Sequence, residues 1–259
     1  MIISQTNLKS PHSAIELMEI TYCSQGLRVK AYLATPRNQN KLPGLLYLRG
    51  GIKRVGMVRI ERVIQWASEG MVVMAPFYRG NFGGEGREDF CGEDRQDAIS
   101  AFDVLESLDS VNRHSIHIVG FSRGGTMALL TGMERSNAKT ITCWNGVSDM
   151  KLTYEERVDL RRMMKRVVGG TPNKYPERYE WRTPLGKLEQ LQSRVLIIHG
   201  LLDEHVSVEH AFRLKKSCDR FKKQADMWLY PTFKHQFPYE AQKKVLASAA
   251  QWMRRAIID

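Results

Sequence analysis

Near the middle of the chain stands the run Ile116-His117-Ile118-Val119-Gly120-Phe121-Ser122-Arg123-Gly124-Gly125. A β-branched apolar segment here meets a G-x-S-x-G motif, and small and apolar residues at helical spacing continue to Leu130. Glycines two residues to either side of a serine let a strand and a helix approach closely, and the sharp turn between them exposes the hydroxyl. The run therefore predicts a nucleophile elbow with Ser122 as the nucleophile.

Alternating strand-like and helix-like segments surround this motif. Residues 14–23 and 27–33 alternate in polarity around a turn at Gln25-Gly26, which predicts a hairpin. Short apolar runs typical of strands buried on both faces lie at 45–48, 71–76, 140–144, 195–199 and 226–230. Helical spacing occupies the intervals, and the last predicted helix covers 239–257. We predict an α/β-hydrolase fold, with a mainly parallel twisted sheet of about eight strands and helices on both faces.

The domain organisation follows from length and composition. A chain of 259 residues with 42% hydrophobic residues can bury one full core, so we expect a single domain over 1–259. The stretch of about 148–192 interrupts the alternation with charge and turn residues and has too few apolar residues for a core of its own. We interpret 148–192 as a small lid-like insertion.

A serine nucleophile requires a base and an acid that orients the base. In α/β hydrolases these follow the serine in the order acid, then histidine, on loops after successive strands. Asp203 follows the strand at 195–199, and His235 follows the strand ending near Tyr230. We predict Asp203 as the acid and His235 as the base, with Glu204 and Asp149 as alternatives for the acid.

Acyl transfer also requires donors that stabilise the developing oxyanion. The first is the backbone N–H of Arg123, which follows the nucleophile, and Gly51 is the better choice in the Gly50-Gly51 turn for the second. Tyr78, in a glycine-rich loop, and Trp144, at a strand end, are candidate pocket residues, with core packing equally open for Trp144.

Charge and cysteine spacing restrict the partners. The formal net charge is +11, but Lys and Arg are dispersed, and the densest cluster shares its segment with acidic residues, which favours a solvated helix face over nucleic-acid or membrane binding. The four cysteines are widely separated, so we expect no metal site and no cofactor. Neither an export signal nor a membrane-spanning segment is evident, which predicts a soluble cytoplasmic protein. The densest cluster of basic residues, referred to from here on as the basic cluster, comprises Arg157, Arg161, Arg162, Lys165 and Arg166.

Five motifs in order resemble the catalytic domain of the prolyl oligopeptidase family. They are Arg49-Gly50-Gly51, Tyr78-Arg79-Gly80-Asn81, Gly120 to Gly125, His199 to Val206, and Lys234-His235-Gln236-Phe237. The resemblance implies Ser122, Asp203 and His235 as the triad, with Gly51 and Arg123 as oxyanion donors. The family usually has His or Tyr in place of Arg49, and its peptidases usually carry an amino-terminal β-propeller. About forty residues precede the Gly50-Gly51 strand, so we expect a stand-alone hydrolase.

Three functions remain open at this point. The first is an esterase that forms an acyl-enzyme on Ser122 with a small substrate. The second is an aminopeptidase or dipeptidyl peptidase with the same triad, which requires an anionic anchor such as Glu85, Glu88 or Glu93. The third, from another class, is a non-catalytic binding protein that uses the basic insertion. The oligomeric state does not follow from the sequence.

Overall fold

The structure is a computed structural model that describes residues 1–37 and 41–256. These residues form a nine-stranded sheet in the order β1-β2-β3-β5-β4-β6-β7-β8-β9. The strands are β1 Ile2–Leu8, β2 Ile15–Ser24, β3 Leu27–Pro36, β4 Leu42–Leu48, β5 Val72–Pro76, β6 Val111–Phe121, β7 Ala138–Trp144, β8 Arg194–Gly200 and β9 Ala225–Tyr230. The helices are α1 Ile60–Ala67, α2 Arg95–Glu106, α3 Arg123–Glu134, α4 Met150–Glu156, α5 Arg161–Met164, α6 Pro176–Trp181, α7 Glu209–Arg220 and α8 Tyr239–Arg255.

The sheet confirms the predicted fold class. Antiparallel pairing joins β1 to β2, β2 to β3 and β3 to β5. The remaining neighbours are parallel, which makes one parallel block of β5, β4, β6, β7, β8 and β9. The additional strand is β1, which our reading of the sequence missed. Its inner residues are exposed and it pairs only with β2, so no alternation of buried and exposed residues marks it.

The strand register brings the turns after β4 and β6 and the loops after β8 and β9 to one edge of the sheet. Leu48 at the end of β4 pairs with Gly120 of β6, so the Gly50-Gly51 turn leaves the sheet beside the elbow. Gly200 at the end of β8 pairs with Tyr230 at the end of β9, so the next two loops start side by side. Because parallel strands all end at the same edge, this edge is where an α/β fold builds its site.

Helices cover both faces of the sheet. Helices α1 and α8 pack on one face, where Trp66 is almost fully buried, and α2, α3 and α7 contribute to the core on the other face. In α8 the buried positions Val245, Leu246, Ala249, Ala250 and Met253 recur at the three- and four-residue spacing of a helix with one apolar stripe. The predicted end of this helix, Ile257, lies outside the described residues. Within the described ranges, no helix is long and apolar enough to cross a membrane.

The segment between β7 and β8 consists of short, irregular helices. A 3-10 turn at Val158–Leu160 separates α4 from α5, and a π-helical turn at Lys165–Gly169 follows α5. The spacing of the basic cluster predicts one regular helix face. The structure instead distributes these residues over three short, irregular helical turns. Arg157 pairs with Asp159, while Arg161 donates to the backbone carbonyl oxygens of Tyr154 and Glu155. These bonds stabilise the irregular turns.

Candidate active site

The predicted elbow is a strained strand-to-helix turn. Ser122 joins β6 to α3 with φ 56° and ψ −124°, which lies outside the regions that non-glycine residues readily adopt. A Cβ on Gly120 would lie 2.0 Å from the Gly124 carbonyl oxygen, so this close approach requires glycine. The Ser122 carbonyl oxygen accepts hydrogen bonds from the N–H groups of Gly125 and Val147. The turn is thus fixed by its neighbours, and the half-exposed Ser122 lines a cavity.

Asp203 and His235 are in direct contact. His235 Nδ1 lies 2.7 Å from Asp203 Oδ2, and the Asp203 side chain is completely buried while that of His235 is 12% exposed. The second oxygen, Oδ1, accepts from the backbone N–H groups of His205 and Val206. A carboxylate held in this way fixes the imidazole with Nδ1 protonated and Nε2 available as a base. The His235 ring lines the same cavity as Ser122.

The surroundings of Asp203 favour its ionised form. Burial by itself raises the pKa of a carboxyl group, but the hydrogen bond and charge of His235 and the two backbone donors outweigh it, so the pKa of Asp203 is lowered. The two alternatives have other contacts. Glu204 is exposed and pairs with Lys234, and Asp149 caps α4 and pairs with Arg213. Neither carboxylate contacts His235 within the described residues.

Asn145, which sequence reasoning missed, fixes the positions of the loop after β8, which carries Asp203, and of the loop after β9, which carries His235. Its Nδ2 donates to the His235 carbonyl oxygen at 2.8 Å, and its Oδ1 accepts from the Gly200 N–H at 2.9 Å. The residue is fully buried at φ 43°, immediately after β7. An Asn-Gly pair directly after a strand was a usable signal for such a tight turn. Asn145 therefore links the ends of three strands at the site.

Gly51 and Arg123, the candidate oxyanion donors, both contribute to the cavity that Ser122 lines. Neither of their backbone N–H groups has an acceptor among residues 1–37 and 41–256. Gly51 has φ +64°, and a Cβ there would lie 2.2 Å from the Val55 carbonyl oxygen. Its conformation and the close turn of 51–56 therefore both require glycine.

A buried ion cluster supports this side of the site. Glu88 Oε1 accepts from Arg123 at 2.6 Å and from Arg49 at 2.9 Å, and a second carboxylate, Asp94, accepts from Arg123 at 2.9 Å. Arg49 also donates to the carbonyl oxygens of Gly50 and Val55. Arg49, where the family pattern has His or Tyr, thus connects the glycine turn to Glu88. The cluster positions the turn that carries Gly51.

The cavity beside Ser122 has a volume of about 420 Å³. Its walls come from the turn after β4, from α1, from the segment after β7 and from the loops after β8 and β9. Its lining combines apolar and basic side chains, and no Asp or Glu belongs to it in the described part of the chain. The lining includes Tyr47, Arg59, Arg62, Phe121, Thr153, Arg157, Leu160, Met163 and Gln242.

Neither of the two candidate pocket residues, Tyr78 and Trp144, lines this cavity. Tyr78 is fully buried, and its ring is flanked by the guanidinium groups of Arg49 and Arg123 at about 5 Å. Trp144 is 3% exposed, packs against Phe237, and lines a small recess that shares Tyr47, Arg62, Phe121 and Gln242 with the cavity. The core packing that the sequence left open for Trp144 is thus what its burial shows.

The proposed amine anchors also lie elsewhere. Glu88 is buried in the ion cluster, Glu85 pairs with Arg28 near the β2–β3 hairpin, and Glu93 hydrogen bonds to Gln25 in the same hairpin. None of these three carboxylates lines the cavity.

Among the remaining histidines, His205 lines the cavity with its ring edge-on to that of His235, whereas His199 and His210 are buried with hydrogen-bond partners. His199 binds the Val206 carbonyl oxygen, and His210 contacts Ser148; burial lowers the pKa of both, to about 4 for His210. All four cysteines are free thiols, and three of them are buried. Within residues 1–37 and 41–256, no group of three or more His, Cys, Asp or Glu side chains could hold a metal ion.

Comparison with solved structures places this fold in one class, the α/β-hydrolase fold. Acetyl xylan esterase 1 from Thermoanaerobacterium has a TM-score of 0.77 at 16% identity, covering 98% of this chain and 87% of that one. The acylaminoacyl peptidase of Pyrococcus horikoshii has a TM-score of 0.80 at 20% identity, covering 94% of this chain and 42% of that one. At these identities the likeness shows the fold.

Sequence comparison identifies the family. Residues 58–258 match the sequence profile of the prolyl oligopeptidase family, and the chain belongs to that family. A Bacillus subtilis protein described as the uncharacterized peptidase YtmA is 52% identical over 255 residues, which cover 98% of this chain and 99% of that protein. Human dipeptidyl peptidase 8 is 26% identical over 75% of this chain and 23% of its own length. The predicted resemblance is confirmed, and the protein is a serine hydrolase.

Proposed function

We propose that the protein is a carboxylic-ester hydrolase for small substrates, with Ser122 as nucleophile, His235 as base and Asp203 as orienting acid. The observation that carries the proposal is the 2.7 Å contact between His235 and Asp203 at the cavity that Ser122 lines. A hydroxyl at an exposed turn and an imidazole held by a buried carboxylate are the groups that acyl transfer requires.

The reaction would proceed in two steps. In the first, Ser122 Oγ attacks the ester carbonyl carbon, His235 Nε2 takes the hydroxyl proton, and the N–H groups of Gly51 and Arg123 donate to the oxyanion. His235 then returns the proton to the leaving alcohol, and an acyl-enzyme forms. In the second step, water attacks the acyl carbon while His235 Nε2 takes a proton from it. The bond from the acyl carbon to Ser122 Oγ then breaks, His235 gives the proton to Oγ, and the acid leaves, which restores Ser122 and a neutral His235.

The cavity lining supports an ester over a peptide with a free amino terminus. A peptide ammonium group would need a carboxylate partner, and the lining holds no Asp or Glu among the described residues. Peptidase activity is the competing proposal, because the family and the relative YtmA are both described as peptidases. The same triad would serve that reaction, so substrate comparison has to separate the two.

The segment 148–192 is part of this proposal. Thr153, Arg157, Leu160 and Met163 line the cavity, and Arg182 binds Asp89 across the gap to the segment before α2. We assign 148–192 as a lid-like insertion that forms one wall of the substrate pocket.

A labelling and turnover experiment tests the proposal. We expect a fluorophosphonate probe to label the wild type on Ser122, and the wild type to hydrolyse 4-nitrophenyl acetate and butyrate but not aminoacyl or dipeptidyl nitroanilides. Ser122→Ala should lose labelling and ester turnover, whereas Ser4→Ala, at an exposed position of the edge strand β1, should keep both. Ester turnover retained by purified, folded Ser122→Ala would contradict the assignment, and turnover of the free-amine anilides would favour the peptidase.

A further inference from the structure

One wall of the cavity is made of polar side chains from three different elements. Tyr47 belongs to β4, Arg62 to α1 and Gln242 to α8, and all three line the cavity beside Phe121, the residue before Ser122. The same three residues also line a small recess that extends from that wall. Arg59, exposed at the start of α1, lines the cavity as well.

The Arg62 guanidinium has no counter-ion. It is half-buried, and neither it nor the side chains of Tyr47 and Gln242 have a hydrogen bond or ion pair within residues 1–37 and 41–256. Burial lowers the pKa of Arg62, the positive charge of Arg59 adds to this effect, and the neighbouring Tyr47 and Glu61 oppose it only in part. Partial burial of a guanidinium without an anionic partner is unfavourable, because its charge and its donors lose part of their solvation.

Two other arginines of the cavity lining have counter-ions. Arg123 pairs with Glu88 and Asp94, and Arg157 pairs with Asp159. The carboxylate next to Arg62 in the chain, Glu61, is exposed, and its charge acts on the guanidinium without an ion pair within 4 Å in the described ranges. Among the described residues, Arg62 is therefore a half-buried positive group that an anion in the cavity can pair with.

We propose that Tyr47, Arg62 and Gln242 form a subsite for a carboxylate group on the substrate. The guanidinium offers a planar pair of N–H donors that fits both carboxylate oxygens, and the phenol and the carboxamide supply further donors. Arg59 adds positive charge at the entrance and favours entry of an anion. This deepens the proposed function: the enzyme would prefer esters that carry a carboxylate away from the scissile bond.

Matched substrate pairs test the subsite. The first pair, 4-nitrophenyl hemiglutarate and 4-nitrophenyl valerate, places the carboxylate on the acyl side; the second, 3-acetoxybenzoate and its methyl ester, places it on the leaving-group side. We expect the wild type to prefer the anionic member of at least one pair in kcat/KM. Arg62→Gln should lower kcat/KM for that member by about 10–100-fold, mainly through KM, and affect the neutral member far less. Tyr47→Phe should act in the same direction, more weakly.

A control variant removes an arginine charge far from the cavity. Arg113 is exposed in β6, near the end of that strand opposite to Ser122, so Arg113→Gln should keep the wild-type preference. A wild type that prefers the neutral member in both pairs, or an Arg62→Gln variant that lowers both members equally, would overturn the subsite.

A binding measurement separates the subsite from the proposed esterase activity. Glutarate should bind to the Ser122→Ala variant in calorimetry, and Arg62→Gln in that background should weaken binding by about tenfold or more. If neutral esters are hydrolysed without anion preference and glutarate does not bind, the esterase proposal holds and the subsite proposal is wrong. If glutarate binds in an Arg62-dependent way but no ester is hydrolysed, the subsite proposal holds and the esterase proposal is wrong.

Discussion

Glu88 and Arg123 form a buried ion pair, with 2.6 Å between the carboxylate and the guanidinium and each side chain only 1% exposed. Arg123 also supplies the first N–H of α3, directly after Ser122. The same carboxylate binds Arg49, which in turn bonds to the carbonyl oxygens of Gly50 and Val55. One acidic side chain thus connects the two turns that carry the cavity-lining residues Gly51 and Arg123.

Removing the Glu88 charge should destabilise the protein. Glu88→Gln leaves two buried guanidinium groups with a single remaining carboxylate, Asp94, and should lower the free energy of unfolding by about 3–5 kcal/mol. Urea denaturation followed by circular dichroism measures this. The control, Glu85→Gln, breaks an exposed pair with Arg28 and should change the midpoint little. Equal midpoints for the two variants would show that the buried cluster does not stabilise the fold.

Asp203 should matter for both rate and acid stability. Asp203→Asn should lower kcat/KM for 4-nitrophenyl acetate by about 10³–10⁴-fold, because the imidazole loses the carboxylate that orients it. Glu204→Gln, which changes a neighbouring exposed carboxylate paired with Lys234, should keep wild-type activity.

The pH dependence at Asp203 has a definite sign. Its folded pKa is lowered, so its contribution to stability is complete above the ordinary carboxyl range and is lost as pH falls below about 4 through the folded pKa. The wild type should lose stability there more steeply than Asp203→Asn, as urea midpoints at pH 3 and pH 6 would show. Parallel pH profiles for the two proteins would contradict the lowered pKa.

The pH dependence at Asp94 should have the opposite sign. Burial raises the pKa of Asp94 to about 7 despite the opposing charge of Arg123. Between about pH 4 and 7 the folded state holds a proton that the unfolded state has released, so this group lowers stability as pH rises through that window. Asp94→Asn should reduce that decline, whereas Asp103→Asn, in an exposed pair with Arg135, should not. Urea midpoints at pH 5 and 8 give the comparison.

Gly51 should be intolerant of a side chain. In Gly51→Ala the new methyl group meets the Val55 carbonyl oxygen and the positive φ becomes strained, so the turn shifts and its N–H leaves the cavity. We expect kcat to fall by about 10²–10³-fold, the usual cost of losing one oxyanion donor. Gly26→Ala has a similar φ, +78°, but open space around it, and should cost about 1 kcal/mol of stability with normal turnover. Normal kcat in Gly51→Ala would remove Gly51 from the oxyanion hole.

Asn145 offers a test of loop positioning. Asn145→Ala removes the bonds to the His235 carbonyl oxygen and the Gly200 N–H, and should lower both kcat, by about tenfold or more, and stability, by about 1–3 kcal/mol. Asn145→Asp keeps the acceptor for Gly200 and loses the donor to His235. It also places a carboxylate at a fully buried position against the Lys234 and His235 carbonyl oxygens, so it should cost at least as much stability as Asn145→Ala while kcat stays low. Recovery of kcat in Asn145→Asp would show that the contact with the His235 loop is dispensable.

Local sequence determined the elements and their order. Apolar runs bounded by turn residues predicted every buried strand, because burial on both faces leaves little choice but β-branched and large apolar side chains. The glycines around Ser122 predicted the elbow, and the positions of Asp203 and His235 after successive strands predicted that they would meet. The exposed edge strand β1 had no such pattern and was missed.

Only the tertiary structure decided which polar groups face one another. Tyr78 and Trp144 stand at promising sequence positions, yet both side chains are buried and neither lines the cavity beside Ser122. Glu88 looked like a loop carboxylate, but two arginines 39 and 35 residues away in the chain bury it. The polar wall of Tyr47, Arg62 and Gln242 joins residues from three distant elements. Such contacts depend on long-range packing and on the direction of each side chain, which periodicity along the chain does not record.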